Sequence, residues 1–364
     1  MLPACRTEGK EERLPPFALA HGDVEGFLHA LRGVHEAFRE CFTRREPREH
    51  FFRSMVGQLS PLERQSIEPM ALEVDGGNVR GMPRFMSDEI WDEAQRRRIY
   101  QQLVYDDMGD SEGVVIVDES GCAKKGQDAV GVARQYGGTL GQVANCQVGV
   151  FAAYASRHGY ALVETRLLLP EPWWSHEYAP RRAKCQVPPA LVFQTQPPLA
   201  GALVRALSQE GILPFKDLVA DGLYGHSPDF LEAVEACRGL TSMVAMPSDT
   251  RGGLPGPVRP AKPSRDTGEA RTTRTLAPKD RAPPTVEAIA THLHDTVWSR
   301  RTVSEGTKGP IAYAFTKRQV TRCRDGLPDR AVWLIIKRSC GAQPSYGYDL
   351  SNAPLSARLP LLVW

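Results

Sequence analysis

Two aspartates stand where short apolar runs end. Val114-Val115-Ile116-Val117 leads into Asp118, and Leu218-Val219-Ala220 leads into Asp221. Continuous apolar runs of this length, bounded by glycine and polar clusters, read as buried central strands. Open α/β sheets carry their functional groups beyond the carboxyl ends of such strands. Two carboxylates on neighbouring strand ends can hold Mg²⁺, a hard cation that takes oxygen ligands and keeps waters for a phosphate substrate. A pair of such ions about 3.5–4 Å apart would activate an attacking oxygen and stabilise a leaving one. On spacing alone, each Asp is equally a strand-to-turn residue bonding its own backbone. Glu119 alternates to the other strand face, so it is expected to point away from Asp118.

The surroundings of the first acid are basic and glycine-rich. Lys124, Lys125, Arg134 and Tyr136 could contact phosphate, which needs Arg or Lys and carries no sequence information; a solvated face accounts for the lysines as well. Gly121-Cys122-Ala123-Lys124-Lys125-Gly126 imitates a phosphate-binding loop, but Gln127 and Asp128 follow where that loop needs Lys and Ser or Thr. The missing Lys and hydroxyl argue against a nucleotide hydrolase. His226 reads as structural, and His292 and His294 lack Cys or Glu at ligand spacing. Trp173-Trp174 could stack on an unpaired base, though in a Pro-rich loop two tryptophans are expected to pack into the core.

These residues need elements to hold them. The chain has 364 residues with Lys+Arg 45 against Asp+Glu 43, a net charge of +2, so bulk charge names no partner. No run of 18 apolar residues is present, which excludes a membrane-spanning helix, and the eight cysteines include no CxxC pair, as expected of a cytoplasmic protein with free thiols. Val24, Phe27, Leu28, Leu31, Val34 and Phe38 recur at helical spacing. Ser60-Pro61-Leu62-Glu63 predicts a helix start with a capping serine, running through Ile67, Met70 and Leu72. A third helix is predicted over 87–106, with Ile90, Trp91, Ala94 and Leu103 inward and Arg96-Arg97-Arg98 outward. Strands follow at 144–153 and 160–169, a long loop at 170–198, a helix at 199–211, a helix opened by Ser227-Pro228, and a strand at 241–246. Residues 248–284 are dominated by Pro, Gly, Ser, Thr and Arg and are expected to lack regular structure. Short strands return at 296–301, 311–316, 332–337 and 346–350.

One long ordered match gives these pieces a common meaning. Asp118-Glu119-Ser120-Gly121, Lys124-Lys125-Gly126, Val130-Gly131-Val132-Ala133-Arg134-Gln135-Tyr136-Gly137-Gly138-Thr139-Leu140-Gly141 and Asn145-Cys146-Gln147-Val148 together resemble the DDE-superfamily transposases of bacterial insertion sequences. Leu169-Pro170-Glu171-Pro172-Trp173 and Ala220-Asp221-Gly222-Leu223-Tyr224-Gly225 are similar to further segments of that group. The resemblance implies an α/β, ribonuclease-H-like mixed sheet with flanking helices, a helical N-terminal domain and a strand-rich insertion. It implies a flexible N-terminus at 1–22, a helical DNA-binding domain at 23–105, the catalytic core at 106–247, a disordered basic linker at 248–284, and the insertion with an incomplete C-terminal part of the core at 285–364.

It further implies that Asp118 and Asp221 are catalytic and hold Mg²⁺ or Mn²⁺, two ions in an intact site. The activity implied is cleavage and strand transfer at transposon ends. The partners implied are double-stranded DNA, as transposon ends and target, and other copies of the chain on DNA; no membrane is involved. Arg44, Arg45, Arg48, Arg96, Arg97 and Arg98 are candidate phosphate contacts of the helical domain, beside Lys124, Lys125 and Arg134 in the core. The family's third carboxylate is a Glu on a later helix, expected just past Trp364. Glu232 and Glu235 follow Asp221 on the wrong element. With two carboxylates the second ion loses an anchor, so impaired transposition is expected; the alternatives are an inactive DNA-binding remnant or regulator, and a nuclease that cuts without joining.

Overall fold

The computed structural model describes residues 21–89, 92–253, 283–306, 309–324, 327–341 and 343–359. The chain divides into two compact units, with the boundary between Asp107 and Met108.

The first unit is helical: α1 (His21–Ala37), α2 (Arg45–Leu59), α3 (Ile67–Glu73), α4 (Gly81–Asp88) and α5 (Glu93–Met108). Helices this short are marginal alone, and apolar packing holds them. Phe38, Phe42 and Phe85 are buried together with Phe51, Ile99 and Leu103 packed against them. Met70, Ala71 and Met82 form a second cluster. Gly57 lets α2 and α3 approach, since a Cβ there would stand 2.8 Å from that of Met70.

Three expectations fail in this unit. Ser60 does not open a helix; it closes α2, and its hydroxyl donates to the Val56 carbonyl at 2.9 Å. The next helix starts at Ile67, with Pro69 in the first turn, where its missing N–H costs nothing. The signal for α2 was present in Phe51, Phe52, Met55, Val56 and Leu59, spaced three and four apart. Arg96 and Arg97 are half-buried rather than outward, while Arg98 is exposed; Ile90 and Trp91 lie outside the described residues. Ala94, expected to face inward, is exposed, and the helically spaced Val24, Phe27, Leu28 and Val34 of α1 are exposed as well.

The second unit is built on one sheet. Its strands are β1 (Val114–Ala123), β2 (Ala133–Gly137), β3 (Gln142–Ser156), β4 (Gly159–Leu167), β5 (Asp217–Ala220), β6 (Thr241–Met246), β7 (Gly252–Gly253), β8 (Ser299–Gly306), β9 (Gly309–Arg324), β10 (Leu327–Ser339) and β11 (Tyr346–Ser351). Among the described residues the order is β2-β3-β1-β5-β6-β11-β10-β9-β7, with β4 beside β3 and β8 beside β9. Strands β1, β3 and β4 form an antiparallel meander, whereas β5 and β6 run parallel to β1. This mixed sheet with its flanking helices is a ribonuclease-H-like arrangement. The late strands join the same sheet, because β11 pairs antiparallel with β6.

The helices of this unit are α6 (Ala179–Lys184), α7 (Gln196–Glu210), α8 (Gly222–Gly225), α9 (Pro228–Glu235) and α10 (Val286–Thr291). Val115 and Val117 on one face of β1 are buried, and Leu203, Val204 and Leu207 of α7 and Phe230 and Val234 of α9 are buried too. Ile116, on the opposite face, is exposed. Ser227 caps α9 through the Phe230 N–H, as its sequence predicts. Strand β2 was missed, because the Arg-Gln-Tyr run reads as polar; it is an outer strand satisfied by β3. Within the 248–284 segment, Gly252–Gly253 pair with β9, a departure from the unstructured expectation. Residues 254–282 of that segment lie outside the described residues, as do 1–20. No helix among the described residues is long and apolar enough to cross a membrane.

Candidate metal centre

Parallel pairing of β1 with β5 matches Val117 to Ala220, which sets Asp118 and Asp221 level with each other on adjacent strands. Strand β5 stops there. Asp221 becomes the N-cap of α8, its Oδ1 accepting the Leu223 N–H at 3.0 Å. Asp118 accepts the Glu119 N–H at 2.9 Å. The two aspartates are half-buried and reach one centre, although Asp118 lies midway along β1, which runs on to Ala123, rather than at the strand end expected from the sequence.

Glu119 corrects the reading of the sequence. Oxygens of Asp118, Glu119 and Asp221 all lie within 4.8 Å of one another. Glu119 does leave β1 on the opposite face from Asp118. Beyond the Val117–Ala220 pair, however, no part of β5 remains to separate the faces, and the longer Glu side chain bends round toward Asp221. Gly138 makes room, since a Cβ at that position would stand 3.1 Å from Glu119 Oε1. The two-carboxylate site expected from the sequence is thus a three-carboxylate site. Among the described residues neither Glu232 nor Glu235 joins the group. Glu235 is instead paired with Arg322 at 2.6 Å and with Arg330.

Burial raises the Glu119 carboxyl above its ordinary range, and the charges of Asp221 and Asp118 raise it further. Tyr224 answers this. Its side chain is fully buried against Phe230, with ring centroids 5.4 Å apart, and its hydroxyl lies 3.2 Å from Glu119 Oε2. Burial and the neighbouring acids push the phenol far above its usual range, so it stays protonated and donates. Tyr224 was quoted in the sequence motif but given no role; its spacing of three after Asp221 was the available signal.

The motif residues after the acids brace the site. Asn145 Nδ2 donates to the carbonyls of Lys124 and Gly126, and Gln147 Nε2 to that of Val130 at 2.6 Å. Gln135 Nε2 donates to Gly131 and Cys146. Trp173 is fully buried and its indole N–H donates to the Val132 carbonyl at 2.9 Å, which settles it as core rather than a stacking platform. Side-chain amides thus tie down the carbonyls of the 124–132 loop, whose Lys124 N–H donates to the Asn145 carbonyl on β3 at 2.9 Å.

The basic candidates are spread more widely. Lys125 and Arg134 are exposed and Lys124 is half-buried; Arg134 is on β2, with β3 between it and β1. In the helical unit, Arg44 is bound to Glu89 at 2.9 Å and Arg45 to Glu49 at 2.6 Å. None of the described ion pairs joins these cations to the acidic centre. His226, His292 and His294 are exposed and outside it. Three carboxylates with clustered oxygens are a fitting donor set for a hard divalent ion, which relieves their mutual repulsion.

A ribonuclease-H-like sheet with carboxylates gathered on its adjacent central strands defines a class of metal-using nucleases and recombinases. The sequence profile of the DDE superfamily endonucleases matches residues 37–310, and the chain belongs to that family. It is 30% identical over 174 residues to the probable transposase for insertion sequence element IS701 of Microchaete diplosiphon. That alignment takes in 47% of this chain and 42% of the relative, so the chain spans less than half the length of the curated protein it matches. The crystal structure of the NurA nuclease from Sulfolobus solfataricus aligns over 78% of this chain and 80% of its own at 8% identity, with a TM-score of 0.27, too low to bear on fold or function.

Proposed function

We propose that this chain is the DNA-cleaving part of an insertion-sequence transposase, acting on phosphodiester bonds at transposon ends and joining the freed 3′-hydroxyl to target DNA. The observation that carries the reading is the convergence of Asp118 and Glu119 of β1 with Asp221, just past the end of β5, in a member of the DDE endonuclease superfamily. Asp118 and Asp221, with Glu119, would hold Mg²⁺ or Mn²⁺. Bound divalent ions in such a site supply Lewis acidity and an activated water or hydroxyl. Tyr224 holds the Glu119 carboxylate in place, and backbone N–H groups hold Asp118 and Asp221. Duplex DNA is the proposed partner. The helical unit offers Arg44 and Arg45 and the core offers Lys124, Lys125 and Arg134 as phosphate contacts, with copies of the chain assembling on two DNA ends.

The test is a cleavage assay with Mg²⁺ or Mn²⁺ on a duplex bearing the ends of the element that encodes this chain. Asp118→Asn and Asp221→Ala should each lower cleavage by at least about 100-fold, the scale on which misplaced reacting groups act, while binding the duplex as the parent does. Cleavage that survives both substitutions would move the chemistry elsewhere. Cutting without joining would reduce the proposal to a nuclease.

A further inference from the structure

The segment between β4 and α7 carries a feature that the acidic centre does not use. Strand β4 runs parallel to β1, so Leu167 and the residues after it emerge at the same end of the sheet as Asp118. The chain then forms α6 and returns into α7, and both anchors of the intervening segment are at that end. On one side, the Cys185 thiol lies 3.3 Å from the Asp128 carbonyl and Lys184 pairs with Asp128 at 3.4 Å, which fixes α6 against the 124–132 loop. On the other, Leu199 in the first turn of α7 packs on the buried cluster of Cys146, Val148 and Leu168. Between them the chain turns at 188–191 and presents Leu191, Val192 and Phe193 at 46%, 70% and 43% exposure.

Three consecutive large apolar side chains projecting into water are costly unless something covers them. The charge around them says what. Residues 124–134 and 176–194 together carry Lys124, Lys125, Arg134, Arg181, Arg182 and Lys184 against only Asp128 and Glu177. Arg182 is spent on the carbonyls of Trp173 and Ser175, the half-buried Arg181 stacks on Tyr178 at 4.9 Å, and the Lys184–Asp128 pair is exposed on both sides, so a phosphate can replace the carboxylate. An apolar tip on a basic rim fits a nucleic-acid duplex, whose phosphates take the cations while apolar side chains enter between base steps and unstack them.

Resting on the DNA-cleaving reading above, we propose that the 181–193 segment is a DNA-distorting element: Arg181 and Lys184 grip phosphates and Leu191, Val192 and Phe193 form a wedge that opens the base stack beside the acidic centre. A wedge gains most on DNA whose stacking is already broken. The experiment compares the full chain on a short paired duplex and on the same duplex with a central mismatched bubble, by gel shift across a salt series. The chain should favour the bubble by about tenfold. Leu191→Ser/Val192→Ser/Phe193→Ser, all at exposed positions and checked for an unchanged melting curve, should abolish that preference with paired-duplex affinity kept within about twofold. Arg181→Ala/Lys184→Ala should weaken both complexes and reduce the salt slope by about 2. Equal binding of bubble and duplex by the parent chain, or a preference that survives the triple substitution, overturns the wedge. So does a triple variant that changes only the oligomeric state, which would assign the tip to a protein contact. None of these outcomes touches the acidic centre, which stands or falls on the loss of cleavage in Asp221→Ala.

Discussion

Strand β1 has acids just before it and acids midway along it, and they are treated in opposite ways. Just before the strand, Asp110 receives the Arg157 guanidinium twice, at 2.7 and 3.1 Å, and Glu112 is paired with Lys216 at 3.1 Å. Arg157 and the Glu112 N–H hold the Asp110 carboxyl down at about 2. Midway along the strand Asp118 and Glu119 converge with Asp221, and among the described ion pairs no cation meets them. There the shift reverses and Glu119 rises. Acids that serve the fold are neutralised by the fold. Acids left to repel one another reduce its stability, and such a cluster is retained where a ligand of opposite charge compensates.

The largest expected effect breaks the repulsive end. Glu119→Gln removes a charge whose burial is unfavourable. The raised carboxyl favours the folded state when protonated, so its stabilising share is present at acid pH and is lost as pH rises through the folded value. The Gln variant should therefore melt higher than the parent at neutral pH without metal. With Mg²⁺ at about a hundredfold over its dissociation constant the parent should gain on the order of 2.7 kcal/mol, and the variant much less. Thermal melts with and without metal measure both. A parent that melts the same in either condition would speak against the centre.

Next comes the support beneath it. Tyr224→Phe deletes the hydroxyl that steadies Glu119 and leaves the ring packing against Phe230. Stability should fall by about 1 kcal/mol, with cleavage down about tenfold because the carboxylate loses its orientation. Unchanged cleavage would show that Glu119 needs no such tether.

The smallest effect is at the neutralised end. Arg157→Ala should destabilise the second unit above about pH 4. The depressed Asp110 carboxyl contributes stability above its unfolded value, and this is lost as pH falls toward about 2. The difference between parent and variant should therefore shrink across that acid range, as read from denaturation at stepped pH. Cleavage per folded molecule should not change.

How much of this was legible depended on the kind of interaction. The apolar runs before Asp118 and Asp221 announced central strands, and parallel pairing then fixed the aspartates side by side. Glu119 was misjudged because strand alternation predicts where a Cβ leaves the backbone, not where a long side chain ends once the neighbouring strand has stopped. Ser60 misled for a related reason. A capping pattern is local, and the helix before it, marked by Phe51, Phe52, Met55, Val56 and Leu59, already used Ser60 as its terminus. Strand β2 and the amide ladder of Gln135, Asn145 and Gln147 are tertiary: their side chains bond carbonyls of a loop that only the folded sheet brings near. Arg181 and Lys184 were hidden in what composition marked as a proline-rich loop.

The central claim is that the acids midway along β1 with Asp221, and not those before the strand, form a metal centre. Mn²⁺ titration followed by electron paramagnetic resonance tests it on the full chain, on Asp118→Asn/Asp221→Asn and on Asp110→Asn/Glu112→Gln, each confirmed folded by circular dichroism. The account predicts that the parent and the Asp110/Glu112 variant bind Mn²⁺ alike and that the Asp118/Asp221 variant loses it. Equal binding by all three, or loss in the Asp110/Glu112 variant alone, would contradict it.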